Sequence, residues 1–330
     1  MEPSGFILNQ QLTTFVTGVR PTELVGQRIA PLIPARSVAG LSFTYWEANA
    51  KDVLRVRDLR VGRYSAPNIM DFGFTQRTGL LMDYGGRIPH PNDLLKINEE
   101  KPAEVLQVPM SVRMFKSKQG VQAIWIGHEQ DVVTAVELST NYVTGQVSTA
   151  TAGQKFSNSD ADIPAILLGI KDKALLRPNV GITSLDAFRA LQSNPKMIMR
   201  TKAVLGGIQG IAGLPSEQEI ARVLELDELI VGQQKLNIAP AGANDASYTR
   251  LWGNHFTFFR REDVPPSSDV QYAGTFATFF GDVISGQPIF ISSYVDNDMG
   301  LYGGIMDKIG HTRQIKVTYN PGACQLRSVI

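Results

Sequence analysis

Residues 38–90 constrain this chain more than any other stretch, because they read as a two-stranded arm longer than the core of a single copy would shelter. One predicted strand is the aromatic run Gly40-Leu-Ser-Phe-Thr-Tyr-Trp46. The other spans Asn68 to Tyr84 and carries Ile69, Phe72, Phe74 and Leu80. Between them lies a charged tip in which Lys51, Arg55, Arg57, Arg60 and Arg63 face only Asp52 and Asp58. An extended strand advances roughly 3.3 Å per residue, so the arm reaches on the order of 50 Å from its root. Isolated two-stranded ribbons are marginal in water. The arm makes sense when a second copy of the protein supplies the surface it lies on.

Composition narrows the classes left open. A chain of 330 residues suits one large domain or two ordinary ones. Its hydrophobic content of 43% is that of a core-forming protein, and its charged content of 19%, below the usual quarter, favours burial against partners. With 32 basic and 31 acidic side chains the net charge is +1, which excludes a dedicated nucleic-acid binder and leaves only local, non-specific DNA contact. The single cysteine, Cys324, excludes an intramolecular disulfide and reads as an apolar filler in a C-terminal strand. No apolar run reaches the roughly 18 residues of a membrane helix, and Met1 to Gln11 lacks the pattern of a signal peptide. The expected setting is a cytoplasm-like compartment, with no membrane partner.

Along the chain, residues 1–37 carry short apolar segments, Phe6 to Leu8 and Leu24 to Ile33, among the breakers Gly18, Pro21, Gly26, Pro31 and Pro34. That pattern predicts an extended arm. Residues 103–140 predict a long helix, clearest from Lys118 onward, with a bend or late start imposed by Pro109, Gly120 and Gly127. Its apolar stripe is Val121, Ile124, Trp125, Val132, Val136 and Tyr142, and Gln122, Glu129, Asp131 and Glu137 are expected away from it. A second helix is expected over Asp160 to Leu176, stopped by Pro178-Asn179, then a strand at Val180 to Ile182 and a helix capped by Ser184. Ser216 and Glu219 form a capping box ahead of another helix. The remainder reads as strands: Leu229 to Val231, His255 to Arg260, Thr275 to Phe280, Ile289 to Val295, His311 to Tyr319 and Cys324 to Ile330.

No motif carries catalysis. The glycine passage Gly206 to Gly213 ends in Leu214-Pro215 instead of the Lys-Ser/Thr of a phosphate loop, and follows a helix rather than a strand. His90, His128, His255 and His311 lack metal-ligand spacing, and His128 fits the apolar side of the long helix as a packed histidine. Asp296-x-Asp298-x-Gly300 lacks the sixth-position glycine and twelfth-position glutamate of a calcium loop, and reads as a turn. No nucleophile elbow is present. The basic tip has three readings, a nucleic-acid contact, an ordinary solvated loop, or an intersubunit contact matched by acidic residues on a neighbour; the absence of interleaved aromatics favours the last.

The order of elements, with Ile29-Ala-Pro-Leu-Ile-Pro34 ahead of the arm, Gly127-His-Glu-Gln-Asp-Val-Val133 on the long helix, Arg177-Pro-Asn-Val-Gly-Ile-Thr183, Ala187-Phe-Arg-Ala-Leu191 before Asn194-Pro195, and Leu251-Trp-Gly-Asn254 before a strand, resembles the major capsid proteins of tailed double-stranded DNA bacteriophages, of the HK97-like fold. The resemblance covers roughly residues 25–330 and rests on order and spacing. It implies an α+β chain with an N-terminal arm over 1–37, an E-loop hairpin over 38–90, and a peripheral domain with a spine helix over 91–159. An axial domain over 160–300 and a return to the peripheral domain over 301–330 complete it. Lys51, Arg55, Arg57, Arg60, Arg63 and Glu129 become candidate intersubunit contacts, with Glu129 a spine-helix residue serving packing or an intersubunit pair.

The implied function is a shell of pentamers and hexamers around phage DNA, in the virion and assembled in host cytoplasm, with no enzyme activity, cofactor or metal. Because the arm begins almost at Met1, a separate scaffolding protein is expected, together with a portal protein and a decoration or cement protein. Some members of the family crosslink an E-loop lysine to a neighbour's asparagine with help from a glutamate. Lys51 lies near the tip, but no asparagine or glutamate matches by motif. The rival readings are an encapsulin-like compartment shell, with cargo protein in place of DNA, and a soluble α/β enzyme or binding protein.

Overall fold

The computed structural model describes residues 7–8, 24–29, 41–48, 60–61, 66, 69, 73–91, 109–204, 213–240, 245–261, 270–271, 275–281, 289–299 and 303–330. In chain order these begin with the short strand β1 (Ile7–Leu8), the one-turn helix α1 (Gly26–Ile29), and strands β2 (Ser42–Ala48), β3 (Phe74–Leu80) and β4 (Met82–Pro91). The long helix α2 (Pro109–Glu137) follows, then β5 (Val147–Thr149), α3 (Ile163–Lys171), β6 (Val180–Ser184), α4 (Leu185–Ser193), α5 (Pro195–Val204) and α6 (Glu217–Val223). The rest is β: β7 (Glu228–Gly232), β8 (Lys235–Asn237), β9 (Tyr248–Arg250), β10 (His255–Phe259), β11 (Val270–Gln271), β12 (Phe276–Phe280), β13 (Phe290–Asp296), β14 (Gly304–Val317) and β15 (Ala323–Arg327).

Two five-stranded sheets flank α2. In the first, β14 is the organising strand: it pairs antiparallel with β13, β12 and β4, while β1 extends the β13 edge through Ile7 opposite Ser293. Ile88, Ile291 and Ile309 on these strands pack against Val121 and Trp125 of α2. The second sheet runs β5-β15-β10-β6-β7. Its strand β6 is buried along its whole length because both sheet faces are covered. Val180 and Ile182 meet Val132 and Val136 of α2. On the other face Phe256, Phe258 and Leu326 join Ile163, Leu167, Leu191 and Ile220 of α3, α4 and α6.

Local chemistry explains the helix starts. Pro109 opens α2 at a position where its missing N–H leaves nothing unsatisfied, and residues 103–108 of the expected helix lie outside the described residues. Asp162 caps α3 by accepting from Ala165 N at 3.2 Å; α3 ends at Lys171, short of the expected Leu176. Ser184 caps α4, and Ser216 and Glu219 close the expected capping box of α6. A Cβ at Gly120 would stand 2.7 Å from Ile88 Cδ1, so a larger residue would displace that side chain where α2 packs on the first sheet.

Three expectations are revised. The second arm strand is two strands, β3 and β4, parted at Leu81, which turns into a core with Phe43, Tyr45, Ala277 and Phe279. Strand β14 starts at Gly304, not His311, because its first residues have partners on both sides, β13 from Phe290↔Gly310 to Asp296↔Gly304 and β4 from Arg313↔Met82 back to Gly304↔Pro91. Strand pairing also crosses the segments drawn from sequence. Strands β12 and β13, within 160–300, join the first sheet, while β15, within 301–330, lies between β5 and β10 in the second. Cys324 is the buried apolar filler expected, its thiol pushed up to about 12 by burial.

Candidate functional site

Where the N-terminal segment meets α2, one carboxylate joins three parts of the chain. Glu129 is 0% exposed. Its Oε1 accepts from Val25 N at 3.0 Å and from Trp252 Nε1 at 2.8 Å, and its Oε2 accepts from Gly26 N at 2.6 Å. A Cβ on Gly26 would lie 3.0 Å from Glu129 Oε2 and 3.0 Å from the His128 ring, so a larger residue would press on both side chains. The neighbours Leu24 and Val25 enter different cores, Leu24 with Val121 and Ile291, Val25 with Val132 and Ile182. Two turns further along α2, Glu137 accepts from Gly253 N at 2.6 Å. Trp252 lies against Gly232, where a Cβ would come 2.3 Å from the indole. Arg261 then ties α1 to the second sheet, donating to Arg28 O at 3.1 Å and to Glu228 Oε2 at 2.7 Å. Burial pushes the pKa of Glu129 up, outweighing the hydrogen bonds from Gly26, Trp252 and Val25, and it does the same at Glu137 against the Gly253 bond.

The base of the arm is the second element of the site. Strands β2 and β3 pair antiparallel from Ser42↔Leu80 to Ala48↔Phe74, and β11 adds to β2 in parallel. The inner face is anchored: the Phe43 and Phe279 rings are 4.3 Å apart, and Phe43 covers Gly79, where a Cβ would fall 2.1 Å from Cζ. On the outer face Trp46, Phe74 and Leu80 are 39%, 49% and 55% exposed. Glu47 and Arg77 pair across the strands at 2.8 Å.

A third cluster fixes the first sheet to the start of α2. Asp307, fully buried, receives Arg113 through Nε at 2.9 Å and Nη2 at 2.5 Å, Ser293 Oγ at 2.7 Å, and His90 Nε2 at 3.0 Å. Burial alone would raise its pKa; the hydrogen bonds from His90, Arg113 and Ser293, with the Arg113 charge, prevail and hold the carboxyl well below the usual range. Nearby, Arg313 donates to Asp131 at 2.6 Å, lies over the Tyr84 ring at 3.9 Å and contacts His311 Nε2. Beside it His128, His311 and Trp125 pack edge to face on one another, with Phe280 tilted against His128. These are bonds of architecture. Ser293 donates to a carboxylate, not to an imidazole, so the cluster has no activated nucleophile. Among the described residues no group of three histidine, cysteine or acidic side chains is placed to hold a metal ion, and no helix is long and apolar enough to cross a membrane.

No protein-family model matches the chain. Over 322 residues it is 26% identical to the major capsid protein of Pseudomonas phage JBD67, an alignment covering 96% of each chain. A phage-related protein from Bordetella bronchiseptica RB50 superposes with a TM-score of 0.72 at 17% identity, over 98% of both chains. The capsid of cyanophage P-SCSP1u superposes with a TM-score of 0.53 at 11% identity, over 90% of this chain and 86% of that one. The chain has the HK97-like capsid fold. Its resemblance to a phage major capsid protein runs through nearly all of its sequence.

Within this HK97-like chain the predicted contact residues part company. Lys51, Arg55, Arg57 and Arg63 lie outside the described residues, and Arg60 is exposed. Glu129, expected away from the apolar stripe of α2, is inside, and all three of its donors belong to its own chain. The physical reason is that α2 is covered on two sides, so its polar face is narrower than a stripe against one sheet would leave. Reading the sequence missed Val25, Gly26 and Trp252 as its partners. The signal available was Leu251-Trp-Gly-Asn254, noticed as a pattern without a role.

Proposed function

We propose that this chain is the shell-forming major capsid protein of a tailed double-stranded DNA phage, assembling into the pentamers and hexamers of a closed icosahedral capsid. The single observation that carries this reading is the end-to-end match to the capsid protein of phage JBD67, on a chain with the HK97-like fold. Helix α2 serves as the spine of the peripheral domain, β2 and β3 as the base of the E-loop, and the second sheet with its helices as the axial domain. The function is assembly, with no turnover and no cofactor. Apolar area such as that of Trp46, Phe74 and Leu80 contributes about 25 cal/mol per Å² when a neighbour covers it, offset in large part by lost freedom of the subunits. Closed symmetry supplies the specificity. The basic tip, Lys51 to Arg63, meets acidic residues of an adjacent subunit. Scaffolding, portal and decoration proteins are the further partners, and the shell assembles in host cytoplasm before it becomes part of the virion.

Expression of the full chain and sedimentation of the product tests this. Megadalton particles or discrete pentamers and hexamers are expected, with nuclease-protected DNA in particles recovered from infected cells. A monodisperse monomer under all assembly conditions would overturn the proposal, and protein cargo in place of DNA would transfer it to a compartment shell.

A further inference from the structure

The two histidines at the joint between α2 and the first sheet contribute little of the hydrogen bonding that normally justifies a buried polar group. Among the described residues His128 Nε2 and His311 Nδ1 have no hydrogen-bond partner, and both side chains are about 1% exposed. Their ring centroids lie 6.4 Å apart, walled by Trp125 and Phe280. Among the described residues the charged and titratable groups facing them are few. Strand β14 supplies Arg313, whose Nη1 contacts His311 Nε2. Strand β4 supplies Tyr84, its ring under the Arg313 guanidinium and edge-on to His311. From α2 come Asp131 and Glu129, and β12 brings only Phe280. The segment at α1 brings the backbone of Gly26, against the His128 ring.

Both carboxylates are already committed. Asp131 is held by Arg313 at 3.1 and 2.6 Å, and Glu129 by its three N–H donors. A proton arriving on either imidazole therefore adds a second positive charge beside Arg313, with no uncommitted anion among the described residues to meet it. A proton on both adds a third.

We propose that His128 and His311 form an acid-operated joint, in which protonation of the pair parts α2 from β14 and releases the N-terminal segment at Gly26, while the second sheet stays folded. The direction follows from linkage. Burial first, then Arg313, lowers His128 to about 3; burial, Arg313 and His128 lower His311 to about 2. Both rings are thus neutral in the closed joint and ordinary bases once it opens. The stability they lend is full above the ordinary value of about 6.5 and is lost as pH falls from there toward the depressed values. This inference concerns the subunit and does not depend on the shell reading.

The test is a reversible acid titration of the purified full chain from pH 7.5 to 4, reading intrinsic fluorescence and the rate of proteolytic cleavage near residues 24–29. Trp125, 5.6 Å from the His128 ring and 5.7 Å from the His311 ring, reports directly, and Trp125→Phe should remove that signal. Expected are a transition beginning below pH 6.5, at least a tenfold rise in cleavage, and a midpoint lowered by one pH unit or more in the His128→Gln, His311→Gln double variant. An unchanged midpoint in the double variant overturns the proposal, as does a wild-type chain that shows no transition down to pH 4. If the double variant does not fold, histidine-labelled wild-type chain decides by NMR. Two imidazoles must then remain neutral until cleavage accelerates, and titration of all four near the ordinary value in the closed chain refutes the joint.

Discussion

A carboxylate without exposed surface persists in a protein interior only when its oxygens are occupied, and Glu129 places three donors on two oxygens. Substituting Glu129→Gln turns one acceptor into a donor that faces N–H groups. The expected loss is about 2 kcal/mol in urea unfolding, with faster cleavage of the N-terminal segment at Gly26. Asp307 stands in the opposite electrostatic situation. Its pKa is depressed, so the stability it contributes is present above the ordinary carboxylate value and lost as pH falls through the depressed one, whereas Glu129 and Glu137, with raised values, contribute most below about 4.5 and lose it as pH rises. Asp307→Asn should therefore cost about 3 kcal/mol at neutral pH, by stranding Arg113. It should also flatten the acid limb of a plot of urea midpoint against pH below about 4; a variant as acid-sensitive as the wild type would contradict this. Glu129 was unreadable from sequence because its partners stand 103, 104 and 123 positions away, and nothing local distinguishes it from a solvated helix glutamate.

At the scale of elements, two aromatic side chains rest on glycines of the neighbouring strand or loop: Phe43 on Gly79 and Trp252 on Gly232. Each replaces a side chain on one strand with the flat face of a ring from elsewhere. Gly79→Val should displace Phe43 and unseat β2 and β3 from Leu81, Ala277 and Phe279, at a cost of about 1–3 kcal/mol. Cleavage between residues 48 and 74 should rise and shell yield fall, while the second sheet keeps its unfolding midpoint. Capping at Ser184 and at Ser216 with Glu219 was legible from sequence because the signal spans three residues. The long helix was legible from Lys118 onward, where Val121, Ile124, Trp125, Val132 and Val136 keep a helical spacing. Strand β14 was not: its first half, Gly304 to Gly310, is held between β13 and β4, and β4 lies more than 200 positions earlier.

For the whole molecule, the arm that dominated the sequence is anchored at its base by β2 and β3, and removal of residues 50–64 separates folding from assembly. That deletion should leave a chain with wild-type circular dichroism and an intact second sheet, yet no stable particles in sedimentation or electron microscopy. Normal particles would remove the tip from the assembly mechanism. The division of labour has a mechanical side. Strand β14 runs fourteen residues through the first sheet, and after Thr318 to Gly322 the chain continues as β15 inside the second. One covalent ribbon is thus stitched through both halves of the subunit. Under outward pressure from packed DNA, that ribbon would carry load as tension along peptide bonds instead of slip between side chains, so such a wall would give way at its seams before its bricks.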